Sequence, residues 1–130
     1  MATDMILVQR LAEMYNPFEV LGISPDAVAG AQEVVNHATY DLRDTAYDLG
    51  RVAFFVRELQ EGKKLDPLML DNACDGGQIF PEPIVQDGNH RLAAAILAKQ
   101  EKVEVNYGGL TFLLNYLKGK TKKLPTYRGY

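Results

Sequence analysis

The sequence predicts an α+β domain with a small sheet, and three stretches carry that expectation. Between Thr39 and Gln60, Leu42, Ala46, Leu49, Ala53 and Val56 recur at steps of four and three, one continuous helical stripe. Val103-Glu104-Val105-Asn106-Tyr107 alternates as a strand does. Pro83 to Gln86, the Asp87-Gly88 pair and the Ala- and Leu-rich run from Leu92 to Gln100 read as strand, tight turn and helix. The predicted order is helices first, then strand, strand, helix, strand, helix. That order fits a small mixed sheet with the N-terminal helices packed on it, not a doubly wound fold.

Taken in order, Met5 to Met14 carries a modest helical pattern in Ile6, Leu7, Leu11 and Met14, which Asn16-Pro17 breaks. Phe18 to Gly22 reads as a single turn closed by glycine. Ser24-Pro25-Asp26 has the signature of a helix start, and that helix is expected to run to Val34 or Val35. The Thr39–Gln60 helix ends at Glu61-Gly62, with Gly50 as the candidate point for a break near residue 50. Leu65 to Asp71 is a proline-containing strand, and Asn72 to Gln78 a turn. From Ile79 to Gln86, Pro81 and Pro83 leave only the ends free to pair. Gly108-Gly109 interrupts the last strand before a short apolar helix, Leu110 to Leu117.

The 130 residues suit one domain, 1–117, with a helical part over 1–62 and a sheet-containing core over 63–117, followed by a basic tail over 118–130. Hydrophobic content of 47% and charged content of 24% are those of an ordinary globular protein. One cysteine, Cys74, excludes an intramolecular disulfide. No apolar run has the length of a membrane span and the start lacks a basic signal region, so a cytoplasmic location is expected. The net charge of −3 hides an asymmetry: five basic side chains lie in the tail (Lys118, Lys120, Lys122, Lys123, Arg128), and removing them leaves −8 for residues 1–117. An acidic body argues against duplex DNA binding over the whole surface, while the tail suits either nucleic acid or a solubilising role with its tyrosines packed on the body.

Function is legible at one place, Asp87-Gly88-Asn89-His90-Arg91. A tight turn delivers Asn89, His90 and Arg91 to the first turn of a helix, where free N–H groups and the positive dipole end attract anions. Arg91 is the stronger phosphate clamp because its guanidinium is always charged and binds bidentately, while His90 is a donor or a proton carrier near neutral pH. Asp87 either holds the turn through its own backbone or reaches a metal ion. Asp41, Asp44 and Asp48 share one helix face, either a solvated one or a Mg²⁺ or acid–base cluster. His37 reads as a cap or surface residue, and two histidines with one cysteine make no zinc set. No P-loop is present.

Val56-Arg57-Glu58-Leu59-Gln60-Glu61-Gly62, Asp66-Pro67-Leu68-Met69-Leu70, Asp87 to Ala95 and Val103-Glu104-Val105, in that order, resemble the ParB N-terminal and sulfiredoxin-like superfamily over about residues 50–107. The resemblance implies a nucleoside di- or triphosphate with Mg²⁺ bound at the turn. It also implies phosphate contacts from Gly88, Asn89, His90 and Arg91, with Lys64 at a corner near the nucleotide unless it merely offsets a helix dipole. Glu58 or Glu61 is the carboxylate implied as base for a substrate hydroxyl, and Glu58 with His90 and Asp87 makes the candidate catalytic set. Similar proteins include a CTP-dependent partition switch, nucleases, free-serine kinases and sulfiredoxins, so NTP hydrolysis, phosphotransfer or nucleic-acid cleavage is implied. Stand-alone domains of this kind occur in phages and mobile elements. Sulfiredoxins carry a cysteine where this chain has Asn89, and a carboxamide cannot replace a thiolate nucleophile. The alternative function is a non-enzymatic accessory protein that binds nucleic acid or a protein partner.

Overall fold

A computed structural model describes residues 2–36 and 43–123. In chain order these form β1 (Asp4–Leu7), α1 (Val8–Met14), α2 (Pro17–Leu21), a 3-10 turn (Pro25–Ala27), α3 (Thr45–Gln60), β2 (Leu68–Asp75), β3 (Gln78–Asp87), α4 (Asn89–Leu97), β4 (Lys102–Tyr107) and α5 (Thr111–Leu117). The class is mixed α+β with a small mixed sheet, as expected. Two compact units result, one of Met1–Tyr15, Pro67–Gly88 and Glu101–Tyr130, the other of Asn16–Asp66 and Asn89–Gln100. The expected halves, 1–62 and 63–117, are therefore interleaved: β1 and α1 belong with the sheet, and α4 belongs with α2 and α3.

In the sheet unit the strand order is β1-β4-β2-β3. β4 pairs antiparallel with β1 and parallel with β2, and β2 and β3 form an antiparallel hairpin. β1 replaces the first half of the helix expected over Met5–Met14. A run of only four residues fits either structure, and pairing with β4 decides between them. The helix begins only at Val8, where the Val8 amide donates to the Glu101 carbonyl at 3.0 Å and so satisfies an otherwise orphan group. β2 runs on to Asp75, through residues expected to turn. β3 lies at the edge of the sheet and pairs in two pieces, Gln78–Ile79 and Pro83–Asp87, with an irregularity opposite Phe80 to Glu82. That is the consequence of Pro81 and Pro83, which have no N–H to offer.

One buried polar side chain organises this unit. Asn72 is 4% exposed. Its Oδ1 accepts from the Leu110 amide (2.6 Å) and the Tyr107 hydroxyl (2.7 Å), and its Nδ2 donates to the Phe80 carbonyl (2.8 Å). Burial, helped by the Asp71 carboxylate, pushes the Tyr107 phenol well above its ordinary pKa, so it stays a donor. A side chain at Gly109 would collide with Asn72 Oδ1 and the Tyr107 hydroxyl, which explains the glycine that interrupts the chain after β4.

In the helical unit, Asn16 caps α2 by accepting from the amides of Phe18 (3.0 Å) and Glu19 (3.3 Å), and Pro17 occupies the first helical position. The helix expected from Ser24 to Val34 or Val35 does not form. Ser24 makes no side-chain cap, and only the 3-10 turn at Pro25–Ala27 is helical. The chain instead lays Val34 and Val35 along α3: the Val34 amide donates to the Gly50 carbonyl (3.0 Å), and Arg51 Nη1 donates to the carbonyls of Val34 (2.9 Å) and Val35 (3.0 Å). These bonds do the work a helix would have done for that backbone. α3 starts at Thr45, not Thr39, with Asp44 accepting from the Tyr47 amide at 3.0 Å. It runs unbroken through Gly50.

α3 ends with paired bonds, Lys63 amide to Glu58 carbonyl and Gly62 amide to Leu59 carbonyl, both 3.0 Å. Part of its apolar stripe packs as expected, while Ala46 is exposed. Leu49, Ala53, Val56 and Leu59 join Phe55 against a buried group of Phe18, Ile23, Val28, Val52, Ala93 and Ala94. Leu42 of that stripe lies outside the described residues.

Two stability predictions follow from these contacts. Gly50→Ala places a methyl group against the Gln32 carbonyl and 2.6 Å from Val34 Cγ2. Alanine is the better helix former by about 1 kcal/mol, yet overpacking costs about 1–3 kcal/mol. Urea unfolding should show a net loss of stability, and a gain would refute the contact. Asn72→Leu leaves the half-buried Leu110 amide, the Tyr107 hydroxyl and the Phe80 carbonyl without their Asn72 partner and is expected to cost about 3 kcal/mol, against about 1 kcal/mol for Tyr107→Phe. Equal losses from the two variants would contradict the central place of Asn72.

Candidate functional site

α4 begins at Asn89, so Asn89, His90 and Arg91 do occupy a helical first turn. Asp87 is the last residue of β3, paired with Met69, and Gly88 follows it with φ +108°. The division between the two units falls between Gly88 and Asn89, so the site built here is that of the helical unit.

The placement of His90 follows from helical periodicity. His90, Ala93, Ala94 and Leu97 stand at i, i+3, i+4 and i+7, one face, and its apolar members pack in the core shared with α3. On α3, Asp48, Val52, Phe55 and Leu59 form the matching stripe. His90 and Asp48 are the polar heads of these two stripes and they meet, His90 Nε2 to Asp48 Oδ1 at 2.8 Å, with side chains 26% and 20% exposed. Both sit in the first turn of their helix, so the positive ends of two helix dipoles converge on the pair.

An aromatic ring stands against it. The Tyr47 ring meets His90 edge-on at 5.9 Å, and the Arg43 guanidinium lies 5.3 Å from the Tyr47 ring centre. Arg51 lies 4.4 Å over the Phe55 ring, and Arg91 Nη1 donates to the Asp66 carbonyl at 2.9 Å. Burial lowers the Arg51 pKa most; Tyr47 opposes that, and the positive charges of Arg43 and Arg91 lower it further. Three guanidiniums thus share one neighbourhood, and the contacts just given anchor them on main-chain oxygens and rings. A concave site is favoured for small ligands. A cavity of about 520 Å³ opens along the segment that Arg51 anchors, lined in part by Gln32, Val34, Val35, Ala46 and Leu49.

Several sequence-derived candidates are placed elsewhere. Glu58 accepts from Lys63 Nζ at 2.8 Å, within an ion network that includes Arg57, Glu33 and Glu61. In that network the Glu33 hydrogen bond raises the Arg57 pKa, and the Glu58 hydrogen bond raises that of Lys63. Ten residues along α3 separate Glu58 from Asp48, about 15 Å of helix. It is not the carboxylate beside His90; Asp48 is. Lys64 is exposed in the link after α3, two residues before the Asp66 carbonyl that holds Arg91.

The carboxylate face is divided. Asp44 caps α3, Asp48 holds His90, and Asp41, like His37, lies outside the described residues. Among the described residues no group of three His, Cys, Asp or Glu side chains stands together to hold a metal. Cys74 is exposed on β2. The basic tail starts later than expected. Lys118 closes α5 and bonds Asp4 at 3.0 Å, and Arg10 donates to the carbonyls of Tyr116 (2.6 Å) and Thr121 (2.5 Å). Lys120, Lys122 and Lys123 are exposed, and Arg128 lies outside the described residues.

Sequence reasoning missed Asp48 as the partner of His90, and Arg43 and Arg51 as parts of the site. The i, i+4 spacing of Arg43, Tyr47 and Arg51 was a legible signal of a shared face; the pairing of residue 48 with residue 90 had none.

No protein-family model matches the chain, and no solved structure matches it. Over 80 residues the chain is 31% identical to a tRNA-specific 2-thiouridylase MnmA of Treponema denticola. The match covers 62% of this chain and 21% of that protein, so the chain spans about a fifth of the length of this relative.

Proposed function

We propose that this chain is a nucleotide-binding domain of the ParB/sulfiredoxin-like kind, taking the phosphates at the first turn of α4. The observation that carries the reading is the convergence of two helix N-termini on the His90–Asp48 pair, with Arg91 on the same first turn of α4. Helix-terminal amides and positive dipole ends favour a polyanion, which accepts their hydrogen bonds. Arg91 and the Asn89–Arg91 amides would hold phosphate oxygens, with Arg51 adding charge from α3. Mg²⁺ would arrive on the phosphates, since a magnesium ion bound through one or two carboxylates and substrate phosphates needs no protein cage. His90, already paired with Asp48, is the group suited to hold or accept a proton at a phosphate oxygen. Asn89 offers no thiolate, so sulfinic-acid reduction is not part of the proposal.

A second reading is favoured by the relative, a tRNA-specific enzyme by its name. Under it, exposed Lys120, Lys122 and Lys123 and the residues through Arg128 contact RNA through its phosphates.

Calorimetric titration with ATP, CTP, GTP and ADP in the presence of Mg²⁺ tests the first reading. At least one nucleotide should bind, and Arg91→Ala should weaken it by about tenfold or more, about 1.4 kcal/mol. A folded protein that gives no heat with any of the four ends the proposal. Gel-shift assays with tRNA and single-stranded DNA, on the full chain and on a chain ending at residue 119, test the second. Unchanged retardation after truncation would rule out the tail.

A further inference from the structure

We infer that Asp48 is a positioning residue for His90, fixing the ring as its Nε2–H form so that Nδ1 is the nitrogen that meets a bound phosphate. The inference rests on reading the start of α4 as a phosphate site. Its geometric basis is the 2.8 Å contact between His90 Nε2 and Asp48 Oδ1. An ionised carboxylate only accepts hydrogen bonds, so the proton between them belongs to Nε2. In the neutral ring the lone pair then sits on Nδ1, the nitrogen next to Cγ and the closer of the two to the main chain. The amides of the first turn of α4 lie on that main chain.

The ring is held on its other contacts as well. Tyr47 stands edge-on to it at 5.9 Å, which limits rotation about the side-chain bonds. A fixed tautomer in a fixed orientation is what a histidine needs to act at one defined atom. When a phosphate binds, a proton from solvent adds to Nδ1, and the imidazolium donates that N–H to a phosphate oxygen while Nε2–H stays on Asp48. The result is a carboxylate–imidazolium–phosphate chain with one proton taken up from buffer.

The charged groups around the ring fit this sequence. α3 contributes Asp48, the Tyr47 phenol and Arg51, its N-cap Asp44 and the preceding Arg43 stand just before it, and α4 contributes Arg91. α2, the other helix packed on α4, carries one titratable side chain, the exposed Glu19.

Nitrogen-15 NMR of the full chain tests this, because only two histidines are present and His37→Gln identifies the resonances of His90. In the free protein under conditions where the ring is neutral, His90 should be uniformly Nε2–H. Asp48→Asn, whose carboxamide oxygen still accepts, should keep that tautomer, and Asp48→Leu should give a mixture. Adding inorganic pyrophosphate to the wild-type protein at constant pH should move the Nδ1 resonance to its protonated position and leave Nε2 nearly unchanged. Calorimetry in buffers of different ionisation enthalpy should record proton uptake on binding.

An Nδ1–H tautomer in the free protein overturns the inference, as does a tautomer unchanged by Asp48→Leu. Pyrophosphate that binds without moving Nδ1 also overturns it, while leaving the phosphate site standing. Absence of pyrophosphate binding overturns both.

Discussion

The packing of two alanines decides where the chemistry of the helical unit falls. Ala93 and Ala94 are fully buried in the core that α4 shares with α2 and α3, and their small side chains let the helix backbones come close. With that face committed, helical periodicity leaves no freedom for the residue one turn earlier. His90 must continue the stripe, and it does so at the point where the apolar contacts of α3 give way to Asp48. The polar pair is therefore a product of the core, and Tyr47, one residue before Asp48 on α3, brings its ring against His90.

Gly50 plays the complementary part on α3. Its missing side chain admits the backbone of Gln32 to Val34, and the segment so docked supplies the carbonyls on which Arg51 rests. A helix interior glycine costs about 1 kcal/mol of propensity. Here that cost is offset by a main-chain bond and by a guanidinium held on two main-chain carbonyls. The sheet unit uses the same device at Gly109, where close approach lets Asn72 collect a main-chain amide and a phenol whose burial keeps it protonated. In both units a glycine that looks like an interruption in the sequence is a contact in the structure.

The chemistry the site suits follows from this construction. Two helix N-termini converge on the His90–Asp48 pair, and that convergence is the ground of the proposed phosphate site. Asp44 and Asp48 are both engaged there, one as a cap and one as the partner of a histidine. Neither carboxylate is spare, which is why the acidic helix face does not make a metal cluster among the described residues.

By itself the sequence determined the elements whose local signals agreed: α4 after Asp87-Gly88, β4 by alternation, α5 after the glycine pair, and the glycine-marked end of α3. Periodicity, turn chemistry and helix propensity act over a few residues, so these were legible without a fold. It also located the Asn89–Arg91 turn, since a helix start after a turn is a local event. The tertiary structure alone decided the rest. Whether Asp4–Leu7 pairs with β4, and whether Val34 and Val35 lie along α3 instead of forming a helix, depends on partners about a hundred and about sixteen residues away. The pairing of Asp48 with His90, and the exclusion of Glu58 from the site by about 15 Å of helix, belong to the same class. Such contacts are set by which faces share a core, and no window of sequence contains both sides of that choice.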